Sequence, residues 1–133
     1  MTAETVIAAG GSAVAHVDAR PRTRRAALML LPAILERRCD PERAAGVSLT
    51  FELRVRASSG GPETVFTAVV ENGVLRATRG GSPDARAWVA GTLGDFIRLG
   101  SGAEPWTELL ARGRLELGGD VFAALRVPGL LGF

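Results

Sequence analysis

The stretch VSLTFELRVR, residues 47–56, decides the fold of this chain. Every second residue from Val47 to Val55 is apolar, and the residues between them are polar or charged. Successive side chains of a strand point to opposite faces of a sheet, so this alternation predicts a half-buried β-strand. The chain therefore contains a sheet with one apolar face and one polar face.

A β-hairpin is predicted directly after this strand. Residues 63–71 are rich in β-branched side chains, and residues 74–79 form a further strand. The dipeptide Asn72-Gly73 between them supplies the positive φ angles of a tight type I′ turn, which indicates antiparallel pairing. Residues 85–90 and 114–117 read as a fourth and a fifth short strand.

Helical spacing replaces alternation elsewhere in the chain. Residues 26–38 carry large aliphatic side chains at helical spacing, with a kink or a fresh start expected at Pro32 because proline removes a backbone donor. After the fourth strand, Thr92 and Asp95 have the spacing of a capping box. One helix is therefore predicted before the sheet and another after its fourth strand.

Two further helices are predicted near the C-terminus. Pro105 fits the first turn of one of them, and Asp120 can cap the other. Pro128-Gly129 is expected to end the last helix and to leave residues 130–133 as an apolar tail. The helix and the tail together, residues 121–133, are expected to act as a movable cover for a pocket. The sequence thus predicts an α+β two-layer domain with an antiparallel hairpin and helices on one face of the sheet.

Composition limits the class of protein. The 133 residues are 47% hydrophobic and 23% charged, which is typical of one compact globular domain. All sixteen basic residues are arginine, yet the net charge is only +2, which is too weak to indicate a nucleic-acid partner. Residues 1–21 are predicted to be a poorly ordered N-terminal arm, and residues 22–133 the folded domain.

A cytoplasmic location is expected. The single cysteine, Cys39, cannot close an intramolecular disulfide, and the N-terminus lacks the early basic charge of a secretory signal. The longest apolar run, residues 26–35, is shorter than the roughly 20 residues of a membrane span.

Short motifs in the C-terminal half resemble a known family. They are SPDARA at 82–87, LGDF at 93–96, EPW at 104–106 and ARGRLELGGDVFAALR at 111–126, together with the earlier DPERAAGV at 40–47. These segments resemble the sterol carrier protein type-two superfamily. Its members carry a proline-aspartate strand entry, an acid-proline pair at a helix, and a Gly-basic-Leu segment that opens the final helix. The resemblance spans residues 28–131.

This resemblance implies a five-stranded, mostly antiparallel sheet covered by helices, with an apolar cavity between the two layers. Family members bind sterols, fatty acyl chains or acyl-CoA, and the resemblance implies neither a catalytic residue nor a cofactor. The predicted cavity lining consists of the large apolar residues of the sheet and the later helices, namely Leu49, Phe51, Leu53, Phe66, Phe96, Trp106, Leu110, Phe122 and Leu125. For each of these residues, ordinary core packing is the competing interpretation.

Other candidate sites are weaker. The arginines at positions 20, 22, 24 and 25 form a cluster that has two interpretations. In one, the cluster binds an anionic head group or makes transient contact with an acidic membrane surface. In the other, it is a solvated terminus. His16 and Cys39 are solitary, and no spacing of Cys, His and carboxylates predicts a metal site.

Three functions are consistent with the sequence. The leading prediction is a carrier that shields a hydrophobic small molecule from water. The second is an enzyme that cyclises or rearranges a hydrophobic metabolite in the same pocket, with Glu52, Asp84 or Asp95 as the acid. The third is a non-catalytic accessory domain of a partner enzyme. The identity of the ligand and the oligomeric state stay open at this point.

Overall fold

A computed structural model describes residues 21–57 and 60–133. The elements in this part of the chain are α1 (Pro21–Arg38), α2 (Pro41–Ala44), β1 (Leu49–Arg56), β2 (Thr64–Glu71), β3 (Val74–Arg79), β4 (Ala87–Thr92), α3 (Leu93–Ser101), α4 (Trp106–Ala111), β5 (Glu116–Gly119) and α5 (Val121–Leu130). The predicted N-terminal arm lies outside the described residues, except that α1 begins at its last position.

The five strands form one sheet in the order β3-β2-β1-β4-β5. Strand β1 pairs parallel with β4, and the other three pairings are antiparallel. Leu53 at the centre of β1 lies opposite Phe66 on β2 and opposite Val89 on β4, so these three residues share one face. The α+β class and the mostly antiparallel sheet are therefore confirmed.

The predicted hairpin is present between β2 and β3. Asn72 has a φ of 53° and Gly73 a φ of 79°, as the predicted turn requires of both residues. Val74 pairs directly with Glu71 across the turn. The local sequence signal was therefore sufficient for this part of the fold.

The alternation along β1 predicts its two faces correctly. Leu49, Phe51, Leu53 and Val55 are buried in the core. Glu52 on the opposite face is also buried, because the loop after β3 lies over it: its Oε2 accepts a hydrogen bond of 3.1 Å from the Ser82 backbone N–H.

Trp88 lies on the same face of the sheet as Glu52. Its register partner on β1 is Glu52, and the Arg54 guanidinium carbon lies 4.5 Å from the centroid of the indole ring. On the neighbouring strand, a Cβ at Gly118 would overlap the indole ring. The glycine therefore permits the pairing of β4 with β5.

Both short strands begin two residues later than the sequence predicts. The Ala85 backbone N–H donates to Ser82 O at 3.2 Å, so this residue belongs to the preceding turn and not to β4. Because β5 pairs with β4 in register, Gly118-Gly119 falls inside β5 instead of after it. Tertiary pairing, and not the local pattern, sets these bounds.

Helix α1 packs on the apolar face of the sheet through Leu28, Leu31 and Leu35. It begins at Pro21 and continues through Pro32 as one helix of 18 residues, so the fresh start expected at Pro32 is wrong. Burial of leucines on both sides of the proline offsets the roughly 3 kcal/mol that an interior proline costs.

The C-terminal segment differs most from expectation. Asp120 caps α5 as predicted, accepting from the Ala123 backbone N–H at 3.2 Å. However, α5 runs through Pro128-Gly129, and Leu130 and Leu131 are buried. The predicted apolar tail without a partner is therefore wrong, because these two leucines complete the core.

Candidate functional site

A cavity of about 80 Å³ lies between the apolar face of the sheet and the helices. Its lining comes from α1, the sheet, α3, α4 and the C-terminal segment. The lining residues are Leu31, Ile34, Leu35, Arg38, Leu53, Val89, Phe96, Leu99, Gly100, Trp106, Leu110, Leu115, Leu117, Val127, Pro128, Leu131 and Phe133. Arg38 is the only charged residue among them, so the interior suits an apolar ligand.

The size of the cavity sets a condition on any ligand. An apolar cavity of about 150 Å³ holds one benzene molecule, so the space here is smaller than one aromatic ring requires. A larger molecule fits only by extending out of this space or by displacing the helices from the sheet. In the second case, the helices over the cavity are the parts expected to shift on binding.

Four of the nine predicted lining residues line the cavity, namely Leu53, Phe96, Trp106 and Leu110. Leu49, Phe51 and Phe66 are buried but do not line the cavity. Their burial agrees with ordinary core packing. The four residues at the cavity remain predicted ligand contacts.

The expected inward orientation of Phe122 and Leu125 is wrong. Phe122 is 84% exposed and Leu125 41% exposed, on the outer side of α5. Ala124 and Val127 occupy the buried side instead. Helix α5 is apolar on nearly every side, so its hydrophobic pattern does not specify which side is buried.

Sequence reasoning missed the contribution of α1 to the cavity, whereas it expected the C-terminal segment to cover a pocket. Ile34 and Arg38 line it from α1, and Leu131 and Phe133 line it from the end of the chain. The helical spacing of residues 26–38 and the apolar composition of residues 130–133 were visible signals. Nothing in the pattern indicated that the two segments meet.

The two segments are joined at the rim of the cavity by Arg38. Its Nε donates a hydrogen bond of 3.0 Å to Leu131 O, and its guanidinium carbon lies 4.1 Å from the centroid of the Phe133 ring. Nearby, the Asp40 backbone N–H donates to Leu130 O at 2.9 Å, and Arg43 Nη1 donates to Gly129 O at 3.3 Å. The end of α1 thus holds the C-terminal segment over the cavity.

The three candidate acids do not line the cavity. Glu52 lies on the opposite face of the sheet and pairs with Arg54 at 3.0 Å. Asp84 is exposed in the loop before β4. Asp95 is buried, but its carboxylate is engaged in the capping box with Thr92, whose hydroxyl donates to Oδ2 at 2.8 Å.

Asp95 also belongs to an ion network beside the cavity. Its carboxylate pairs with Arg98 at 3.4 Å and with Arg114. Arg114 further pairs with Glu104 at 3.6 Å, and Glu104 pairs with Arg112 at the same distance. The network joins α3 to the segments on either side of α4.

Cys39 is buried at the end of α1. Burial raises the pKa of its thiol, and the negative charge of Asp40 adds to the rise. His16 lies outside the described residues. In residues 21–57 and 60–133, no group of three or more His, Cys, Asp or Glu side chains could hold a metal ion.

Three of the clustered arginines lie at the start of α1, and Arg20 lies outside the described residues. Arg22 and Arg25 are exposed, whereas Arg24 is half-buried and has a partner. In the described part of the chain, no helix is long and apolar enough to span a membrane.

Residues 31–132 match the SCP-2 sterol transfer family, which is most of the chain. The chain belongs to this family. The resemblance that the short motifs indicated, over residues 28–131, is thereby confirmed. A search among curated proteins found no significant match to this SCP-2 family member.

Solved structures share the fold of this SCP-2 family member. Palmitated sterol carrier protein 2-like 2 from Aedes aegypti has a TM-score of 0.60 at 19% identity, over 80% of this chain and 92% of that one. Sterol carrier protein 2 from Yarrowia lipolytica has a TM-score of 0.55 at 18% identity, over 76% of each chain.

The same fold also occurs inside a larger enzyme. The sec-alkylsulfatase Pisa1 from a Pseudomonas species has a TM-score of 0.63 at 22% identity. The match covers 76% of this chain but only 16% of the alkylsulfatase chain. The SCP-2 fold is therefore found both as most of a chain and as a small part of one.

Proposed function

We propose that this SCP-2 family member binds a hydrophobic small molecule in the cavity and carries it chemically unchanged. The observation that carries the proposal is the lining, in which every residue except Gly100 and Arg38 has an apolar side chain. Such a surface offers an apolar ligand a place out of water and offers few polar groups that would require hydrogen bonds.

The expected affinity follows from apolar burial. Each buried methylene contributes about 0.8 kcal/mol, so a fully buried chain of about twelve carbons contributes roughly 10 kcal/mol before the cost of association is subtracted. A dissociation constant of 1 μM corresponds to about 8 kcal/mol. The cost of association offsets part of the gain, so affinity is expected to rise with chain length and to reach the micromolar range for long-chain lipids.

Two measurements test the carrier proposal. Displacement of a fluorescent fatty acyl probe by a panel of lipids measures binding, and saturable displacement is expected. Native mass spectrometry of the purified protein identifies whatever molecule co-purifies. Absence of saturable binding to every lipid in the panel would contradict the proposal.

The enzyme alternative is tested by the chemical fate of the ligand. Glu52, Asp84 and Asp95 lie outside the cavity lining, so the proposal assigns no catalytic residue. Incubation of the protein with a bound lipid, followed by extraction and mass analysis, is expected to return the same lipid. A product of altered mass or retention time would favour the enzyme.

The accessory-domain alternative keeps one supporting observation, the presence of this fold as a small part of the alkylsulfatase chain. An accessory domain is expected to co-purify with a larger protein from its own cells. A carrier is expected to elute without one. The cytoplasmic location and the transient membrane contact remain parts of the proposal, tested by cell fractionation and by co-sedimentation with anionic vesicles.

A further inference from the structure

Among the residues that the structure describes, Arg38 is the one charged side chain that lines the cavity, and the other lining residues offer no ionisable group. We infer that Arg38 is the specificity-determining residue of the site and selects ligands with a compact anionic head, a carboxylate above all. The inference rests on the proposed function, because it concerns the polar end of a ligand whose apolar part occupies the cavity.

The guanidinium of Arg38 is already fixed in place. One hydrogen bond from Nε to Leu131 O and the stacking on Phe133 hold it at the rim of the cavity. These contacts use Nε and one face of the guanidinium, and within residues 21–57 and 60–133 no hydrogen bond or ion pair engages the two Nη groups. An arginine that is already ordered loses little rotamer freedom when an anion binds.

The charge of Arg38 has no carboxylate partner within the described part of the chain. The contrast with its neighbours is clear: Arg43 pairs with Asp40 at 3.6 Å, and Arg54 pairs with Glu52 at 3.0 Å. Arg38 has only a neutral carbonyl and an aromatic ring. The planar guanidinium matches the two oxygens of a carboxylate, so a ligand anion is the partner that it lacks.

A purely structural role for Arg38 makes a different prediction. If the side chain only fastened the C-terminal segment to α1, its loss would weaken the binding of charged and neutral ligands alike. If it receives an anionic head, its loss would weaken the binding of the charged ligand more than that of the neutral ligand. The preference between two ligands with the same chain therefore separates the two roles.

The experiment compares decanoate with 1-decanol at pH 8, where the acid is ionised. Isothermal titration calorimetry measures both affinities for the wild-type protein and for Arg38→Met. The wild type is expected to bind decanoate at least tenfold more tightly than decanol. Arg38→Met is expected to reduce this preference to twofold or less, and because the preference is a ratio of two affinities in one variant, it is separate from any loss that both ligands share.

Arg43→Met is the matched control. Arg43 also donates to a carbonyl of the C-terminal segment, Gly129 O, but it does not line the cavity. Its loss is expected to leave the preference for decanoate intact. Arg38→Lys keeps the positive charge but lacks the planar guanidinium, and it is expected to retain part of the preference for decanoate. If Arg38→Met does not fold, the comparison of Arg38→Lys with the wild type still tests the inference.

Each outcome has one meaning. Equal affinity of the wild type for decanoate and decanol overturns the role of Arg38 and leaves the proposed function standing. Failure of both ligands to bind, together with no saturable displacement by any lipid of the panel, overturns the proposed function itself. Decyl sulfate, titrated in parallel, distinguishes a carboxylate site from a site for any compact anion: tight binding that Arg38→Met abolishes extends the inference to sulfate heads.

Discussion

Arg114, in the segment before β5, forms an ion pair with the buried carboxylate of Asp95 at the start of α3. Asp95 is only 3% exposed, so its charge depends on this partner and on Arg98 for compensation. The Asp95 carboxylate therefore has two roles. It caps α3, and through Arg114 it binds the segment after α4. The pair sets the position of the helices that cover the cavity.

Replacing Arg114 by methionine is expected to destabilise the protein by about 1 to 3 kcal/mol. Loss of one partner of a buried pair leaves an under-compensated charge, and the partial exposure of Arg114 moderates the effect. Urea unfolding measures the change. Arg112→Met is the control, because Arg112 is mostly exposed and its loss is expected to cost less than about 1 kcal/mol. Equal effects of the two substitutions would contradict the importance of the Asp95 pair.

Trp106 is expected to report ligand binding by its fluorescence. The indole lines the cavity, so a ligand that fills the cavity displaces water from it and shifts the emission to shorter wavelength. The measurement uses a Trp88→Phe background, because Trp88 lies on the opposite face of the sheet. Emission that stays constant up to saturation would exclude Trp106 from the binding site.

Leu131→Ala and Phe133→Ala are expected to have different consequences. Leu131 is buried in the core, so its truncation is expected to cost about 2 to 5 kcal/mol of folding free energy. Phe133 is only partly buried and lines the cavity, so its truncation is expected to speed ligand release with a smaller loss of stability. Stopped-flow displacement and thermal unfolding measure the two quantities.

The burial of Leu131 also determines the expected effect of deleting residues 129–133. The deletion removes Leu130 and Leu131 from the core, and it is expected to unfold the protein instead of only opening the pocket. A deletion variant that folds normally and only releases ligand faster would restore the idea of a detachable cover.

Cys39 is expected to be unreactive in the folded protein. Burial raises the pKa of its thiol, so the thiolate that attacks a disulfide reagent is scarce near pH 8. The raised pKa also means that the unfolded state loses this proton first as the pH rises. The Cys39 contribution to the free energy of unfolding therefore decreases above the unfolded pKa of about 8.5.

Two measurements check the role of Cys39. The reaction rate with Ellman's reagent is expected to be slow in buffer and fast in denaturant. Cys39→Ala is expected to leave lipid affinity within about threefold, a difference under roughly 1 kcal/mol. Rapid labelling of the folded protein, or loss of lipid binding in the variant, would indicate that the thiol has a functional role.

The sequence by itself determined the features that depend on near neighbours. The strict alternation of residues 47–56 specified a strand and its buried face, and Asn72-Gly73 specified the hairpin. Thr92 and Asp120 specified two helix starts through their own side-chain hydrogen bonds. These signals succeed because each contact joins residues that are close in the chain.

Only the tertiary structure decided where the cavity is and which helix sides face it. Helix α5 is apolar on nearly every side, so packing against the sheet, and not periodicity, exposes Phe122 and buries Val127. Likewise, Arg38 meets Leu131 and Phe133 only after the sheet has brought both ends of the domain together. Contacts between such distant residues depend on the arrangement of the whole core, which no local pattern encodes.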